Sequence, residues 1–162
     1  MDSPVAKAAV MSRSELDTPY RGGFVGSEHY FALTVYFEDT DTAGVVYYAN
    51  YLKFMERARS DMIRAVGIDQ GAMLRGDGSA YFVTHVDIRY RRPARLGDDL
   101  QVISSVEQVR ASSVHIHQRV MRGPELLADA SVTAAFLDRE GRPRRQPREW
   151  VEEFRKIGTK GQ

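Results

Sequence analysis

The stretch over residues 37–59, FEDTDTAGVVYYANYLKFMERAR, most constrains what this chain can fold into. It joins an acidic turn directly to a helix predicted from about Tyr48 or Ala49 to Val66. At 100° per residue Tyr51, Met55, Ala58, Met62, Ala65 and Val66 fall on one stripe, with Lys53, Arg57, Ser60 and Arg64 opposite. Asn50 is a candidate cap at the start, and Gly67 suits a left-handed residue at the end. Arg57 and Asp61 stand at the i,i+4 spacing of a helical ion pair. A single long helix cannot cover its own apolar stripe, so the rest of the chain must supply the surface that does.

That surface reads as strands. Over 29–37, HYFALTVYF, the residues Phe31, Leu33, Val35 and Phe37 alternate with Tyr30, Ala32, Thr34 and Tyr36. Over 81–90, Phe82, Val86, Ile88 and Tyr90 alternate with His85, Asp87 and Arg89, and Pro93 stops this strand or places it at an edge. Three more strands follow, over 100–109, 113–121 and 126–137. Links this short permit only antiparallel neighbours, so they form a meander. In the last of them Ala128, Ala130, Val132, Ala134 and Phe136 share a face whose small residues let another element pack closely. Pro147 opens a short helix with Trp150, Phe154 and Ile157 on one stripe. The expected fold is α+β, a curved antiparallel sheet of about five strands wrapped around one long central helix. Residues 1–28 are expected to be a flexible N-terminal tail, 29–158 a single domain, and 69–79 a connecting loop.

Composition narrows the chemistry. Of the 162 residues 43% are hydrophobic, which fits a folded domain with a real core. A net charge of +1 offers no field to recruit nucleic acid. There is no cysteine, which excludes thiolate catalysis and disulfides and suits a reducing cytosol. No apolar run approaches a membrane span, and the N-terminus is a poor signal peptide, so the expected location is the cytoplasm. No serine sits in a G-x-S-x-G setting. His115 and His117 share a strand face, which without a third ligand reads as solvated, and His85 reads as structural. Chemistry therefore falls to carboxylates. Asp39 and Asp41 form a D-x-D just upstream of a helix N-terminus, where free backbone N–H groups favour negative charge. Three readings of the pair stay open at this point: a divalent-cation site, a polar turn whose side chains satisfy backbone, or a catalytic carboxylate.

The segment DTDTAGVVYYANYL, followed by MERAR and later by IRYRRPARLGD, resembles the acyl-CoA thioesterases of the hotdog fold. It is most similar to the 4-hydroxybenzoyl-CoA thioesterase group and to the thioesterases associated with the Tol-Pal system. The likeness covers roughly 30–157. It implies hydrolysis of an acyl-CoA thioester to free acid and CoA, with Asp41 as the catalytic carboxylate and the Tyr48 N–H as the donor that polarises the thioester carbonyl. Asp39 is then a turn residue. Asp41 either attacks the carbonyl or activates water. Gly44, Val46, Glu56, Arg91 and Arg92 are the substrate-contacting candidates, the arginines for CoA phosphates. Glu56 is also the competing carboxylate, because another branch of hotdog thioesterases places its acid on the central helix. Many Tol-Pal-associated members carry His where this chain has Tyr48, and here the 4-hydroxybenzoyl-CoA group is the nearer pattern. The resemblance further implies no metal and no cofactor beyond the CoA of the substrate. It implies a homo-oligomer, a dimer of dimers with the site between subunits. Two alternatives remain: a non-catalytic acyl-CoA or acyl-carrier-protein binding module, and an acyl-thioester hydratase or dehydratase.

Overall fold

A computed structural model describes residues 10–158. Six antiparallel strands form one sheet in the order β1-β2-β4-β5-β6-β3. These are β1 (Gly23–Val25), β2 (Glu28–Thr34), β3 (Ala80–Tyr90), β4 (Asp99–Val109), β5 (Ser113–Arg122) and β6 (Glu125–Leu137). The expected strands are all present, and the meander holds for β4, β5 and β6. β3 crosses to the far side and pairs with β6, which leaves it at an edge, consistent with Pro93 just beyond its end.

The central helix α2 (Asn50–Ala65) lies against the inner faces of β2, β4 and β5. Tyr51, Phe54, Met55, Ala58, Met62 and Ile63 are buried along it. The inward residues of β6, from Ala128 to Phe136, are buried as the small-residue pattern required. One core cluster gathers around Met55 and Ala58, and a second around Met62, Ile63 and Ile68. Helix α4 (Arg148–Ile157) closes the second cluster with Phe154, flanked by Trp150 and Ile157.

Several expectations need correcting. The first strand ends at Thr34 rather than 37, because Phe37–Asp39 winds into a 3₁₀ turn that leaves Tyr36 and Phe37 exposed. Residues 69–79 are not a plain loop but contain α3 (Gln70–Gly76), whose cap Asp69 accepts from the Ala72 N–H at 2.9 Å. Ala65 is exposed. Asp61 does not pair with Arg57. It is buried and bonds His29 Nε2, the Gly22 N–H and Arg64, at 2.8, 2.9 and 2.8 Å.

The expected N-terminal tail divides three ways. Residues 1–9 lie outside the described residues. A single helical turn, α1 (Arg13–Leu16), is exposed. From Tyr20 onward the chain docks on the domain. Tyr20 packs edge-on against Phe31, its hydroxyl accepts the Ala32 N–H, and β1 pairs with β2. Gly22 is required there, since a Cβ would lie 2.2 Å from the Tyr30 carbonyl oxygen.

Candidate active site

The turn that precedes α2 is a closed loop. Thr40 bridges Val46, and Asp41 donates its N–H to the Val45 carbonyl at 2.8 Å. Gly44 turns the apex at φ 76°, a conformation costly for any residue with a Cβ. One carboxylate oxygen of Asp41 accepts from the N–H groups of Ala43 and Val45, at 2.9 and 3.4 Å. The other oxygen has no partner among the described residues and faces an exposed surface. One anchored oxygen and one open oxygen is an arrangement that orients a carboxylate without quenching it.

Asp39 is spent on structure. Its side chain accepts the Tyr36 N–H at 2.8 Å. Its carbonyl accepts both the Tyr47 N–H at 3.0 Å and Asn50 Nδ2 at 2.9 Å. Asn50 is thus not the helix cap. It is the first helical residue, and its amide ties the turn to the helix. The cap position is Ala49, which has no side chain to offer the open end.

A second segment grips the loop from the side. Val46 donates its N–H to the Ala94 carbonyl at 2.9 Å, and Val45 bridges Arg95. The buried Tyr51 hydroxyl accepts the Ala94 N–H at 3.0 Å. The Pro93-Ala94 turn is therefore part of the site's frame. Between these pieces lies a recess of about 300 Å³ lined by Val46, Tyr48, Tyr51, Pro93 and the Tyr90-Arg91-Arg92 run.

Tyr48 is one of the residues that line the recess. Tyr47 O accepts the Asn50 N–H at 2.8 Å, so the Tyr48 N–H, trans to that carbonyl, points away from the helix. Among the described residues it has no acceptor. The Tyr90 hydroxyl donates to the Tyr48 carbonyl at 2.9 Å. Burial, then the neighbouring Tyr48 and Tyr51, push the Tyr90 phenol up from its ordinary value, so it remains a donor at neutral pH. Burial raises Tyr51 likewise.

The remaining sequence candidates separate. Val46, Arg91 and Arg92 meet at the recess with Tyr48. Arg91 is already paired with Asp129 at 2.8 Å and Arg92 with Glu125 at 2.7 Å, though each keeps further N–H donors. Gly44 shapes the loop and does not line the recess. Glu56 lies apart, held by Arg59 and the Ser60 hydroxyl, both at 2.8 Å. Asp41 lies on the loop beside the recess but not among its lining residues. Sequence reasoning missed Tyr51 and Tyr90. Periodicity placed Tyr51 on the buried stripe of its helix and Tyr90 on the apolar face of its strand, where it is exposed, but no period reports the backbone groups that their hydroxyls reach.

Comparison with known proteins agrees with this frame. A family model described as the thioesterase-like superfamily matches residues 35–157. The acyl-CoA thioester hydrolase YbgC of Escherichia coli O157:H7 is 37% identical over 123 residues, covering 75% of this chain and 91% of its own length. The acyl-CoA thioesterase YbgC of Haemophilus influenzae is 39% identical over 108 residues, 67% of this chain and 79% of its own. Among solved structures, a probable thioesterase from Bartonella henselae superposes with a TM-score of 0.71 at 33% identity, over 74% of this chain and 99% of its own. The match spans both the acidic loop and the turn that grips it, and on that basis the chain belongs to the thioesterase-like superfamily, with the hotdog fold.

Proposed function

We propose that this protein hydrolyses acyl-CoA thioesters to the free acid and CoA. The observation that carries the reading is the open N–H of Tyr48, a residue that lines the recess, on a loop that also presents a half-anchored aspartate. A thioester carbonyl seated against that N–H gains a donor where oxyanion charge develops, at the positive end of a helix. Asp41 supplies the carboxylate, as nucleophile or as base for water. The proposed reaction draws on no metal and no redox cofactor, since a carboxylate and a backbone donor suffice for acyl transfer to water. The relatives named acyl-CoA thioester hydrolase and acyl-CoA thioesterase support the same substrate class. A cysteine-free chain suits the cytosol, where we place the reaction.

We further infer that the working unit is an oligomer with the site at a subunit boundary, in the arrangement of a dimer of dimers. β3 is an eleven-residue edge strand with Phe82, Val83 and Tyr90 exposed, close to the exposed Tyr48. Such an edge is a template for another copy. A second chain laid along it would cover the recess and bring further groups to Asp41.

The test is release of free thiol from short, long and aromatic acyl-CoAs, with Asp41→Asn beside wild type. Wild-type turnover that Asp41→Asn lacks supports the reading. Binding of CoA esters with no thiol released from any of them overturns it in favour of a binding module. An active Asp41→Asn beside an inactive Glu56→Gln moves the chemistry to the helix.

A further inference from the structure

We propose that Tyr90 is a positioning residue of this reaction, acting through its hydroxyl on the Tyr48 peptide to hold the oxyanion donors in place. The inference rests on the hydrolase reading above and adds a part to it. The N–H groups of interest sit where α2 has not yet begun its ladder. Tyr48 is flanked by two peptide planes. The first, between Tyr47 and Tyr48, is fixed because the Tyr47 carbonyl accepts the Asn50 N–H. The second, between Tyr48 and Ala49, is fixed because the Tyr48 carbonyl accepts the Tyr90 hydroxyl at 2.9 Å. A trans peptide locks its N–H opposite its C=O. The Tyr90 bond therefore sets the direction of the Ala49 N–H directly, and it limits the rotation about Tyr48 that would swing the first plane.

The phenol itself is well held. Its ring meets Tyr51 edge-on at 5.4 Å and Tyr48 edge-on at 6.1 Å. Tyr51 is in turn buried and anchored on the Ala94 N–H. The backbone of Tyr90 lies in β3, paired to Ala128 of β6. A strand residue thus reaches across the recess and clamps a helix-start peptide, 42 residues earlier in the chain. Neither Asp39 nor Asn50 does this, since both bonds to the Asp39 carbonyl hold the turn upstream of Tyr48.

Tyr90→Phe keeps the ring contacts and removes only the O–H. With any acyl-CoA that wild type hydrolyses, kcat is expected to fall by about 10- to 100-fold, the scale of a displaced donor, while KM stays within about twofold. Tyr81→Phe is the control for losing a hydrogen-bonded phenol elsewhere on the same strand: its hydroxyl bonds Gln146 at 2.5 Å, at the other end of β3, and its kcat should match wild type. Amide spectra of protein labelled with ¹⁵N-tyrosine and ¹⁵N-alanine give a readout independent of turnover, in which Tyr90→Phe should move the Tyr48 and Ala49 signals and Tyr81→Phe should not. Unmoved signals, or a kcat equal to wild type, overturn the proposal. So does an equal loss in Tyr81→Phe. If wild type releases no thiol from any acyl-CoA, the hydrolase reading falls, and the amide comparison alone decides whether Tyr90 holds the peptide.

Discussion

The two ends of α2 are built in opposite ways. At the C-terminal end backbone bonds close the last turn. Gly67, at φ 90°, donates to the Arg64 carbonyl at 2.9 Å, and Ile68 donates to the Ile63 carbonyl at 3.2 Å. These are the two bonds of a Schellman cap, and the accompanying apolar contact is present in the second core cluster, which holds both Ile63 and Ile68. One turn back, Asp61 is buried and accepts from three donors. At the N-terminal end the cap residue is an alanine, there is no acid in the first turn, and the Tyr48 N–H is left without an acceptor among the described residues. A helix that closes one end so thoroughly has no folding reason to leave the other open. The open end makes sense if a ligand supplies what the chain withholds.

The comparison breaks most visibly in a pair of aspartate variants. Asp41→Asn should lower kcat by about 10³-fold, within the range for a positioned acid–base group, with little change in urea midpoint, because its open oxygen holds up nothing. Asp61→Ala should do the reverse. It leaves the buried His29 N–H and the part-buried Gly22 N–H without an acceptor, at roughly 1–3 kcal/mol each, and Arg64 without its partner. Arg64 is partly exposed and recovers water, so the expected loss is about 3 kcal/mol, read by urea unfolding, with kcat per folded molecule unchanged. If Asp61→Ala lowers kcat while leaving the urea midpoint in place, the division between the two ends is wrong.

How much of this contrast was readable beforehand depends on the kind of signal. The helix, its glycine stop and the strand alternation carry period and punctuation, and these were legible in Met55, Ala58, Gly67 and the alanines of β6. The acidic loop was legible as a motif. Asp61 was not, since its true partner His29 lies 32 residues away and the nearer Arg57 offered a plausible local pair. Phe37 followed the strand alternation yet stands outside the sheet, because the turn that presents Asp41 begins there. The tail was misread for a similar reason: Gly22 and Gly23 look like flexible chain, but Gly22 is small because it passes against Tyr30 and Asp61. Local pattern cannot report a contact whose other half is remote.

The closed end also predicts how stability follows pH. Burial lowers the His29 pKa below its ordinary value of 6.5, more than the Asp61 bond raises it. The geometry agrees, since Nδ1 is buried with no partner among the described residues, and a second proton would be stranded there. The unfolded chain then binds a proton that the folded chain refuses. Stability is complete above about 6.5 and falls as pH drops from there toward the folded-state value. Asp61 adds to the loss further down. Its burial would raise its pKa, but bonds from Arg64, His29 and Gly22 outweigh this and hold it below 3.8, so its contribution is present above that value and lost as acid protonates it. Urea midpoints from pH 8 to 5 should slope downward in wild type and flatten in His29→Gln. A slope that survives in His29→Gln assigns it to other groups.

The smallest effect isolates the cap from everything packed around it. Among the described residues beyond its two chain neighbours, no atom lies within 4 Å of where a Cβ on Gly67 would sit, so a substitution there tests backbone conformation alone. Gly67→Ala should destabilise by about 1 kcal/mol, the penalty of a left-handed residue bearing a side chain. Gly67→Asn should cost less, because its short polar side chain tolerates that region. Both should leave kcat and KM where they are, for the strain is confined to the end that carries no substrate group. A change in kcat at Gly67 would mean that the two ends communicate along the helix, and that the open N-terminus owes its geometry to the closed C-terminus rather than to the Tyr90 clamp beside it.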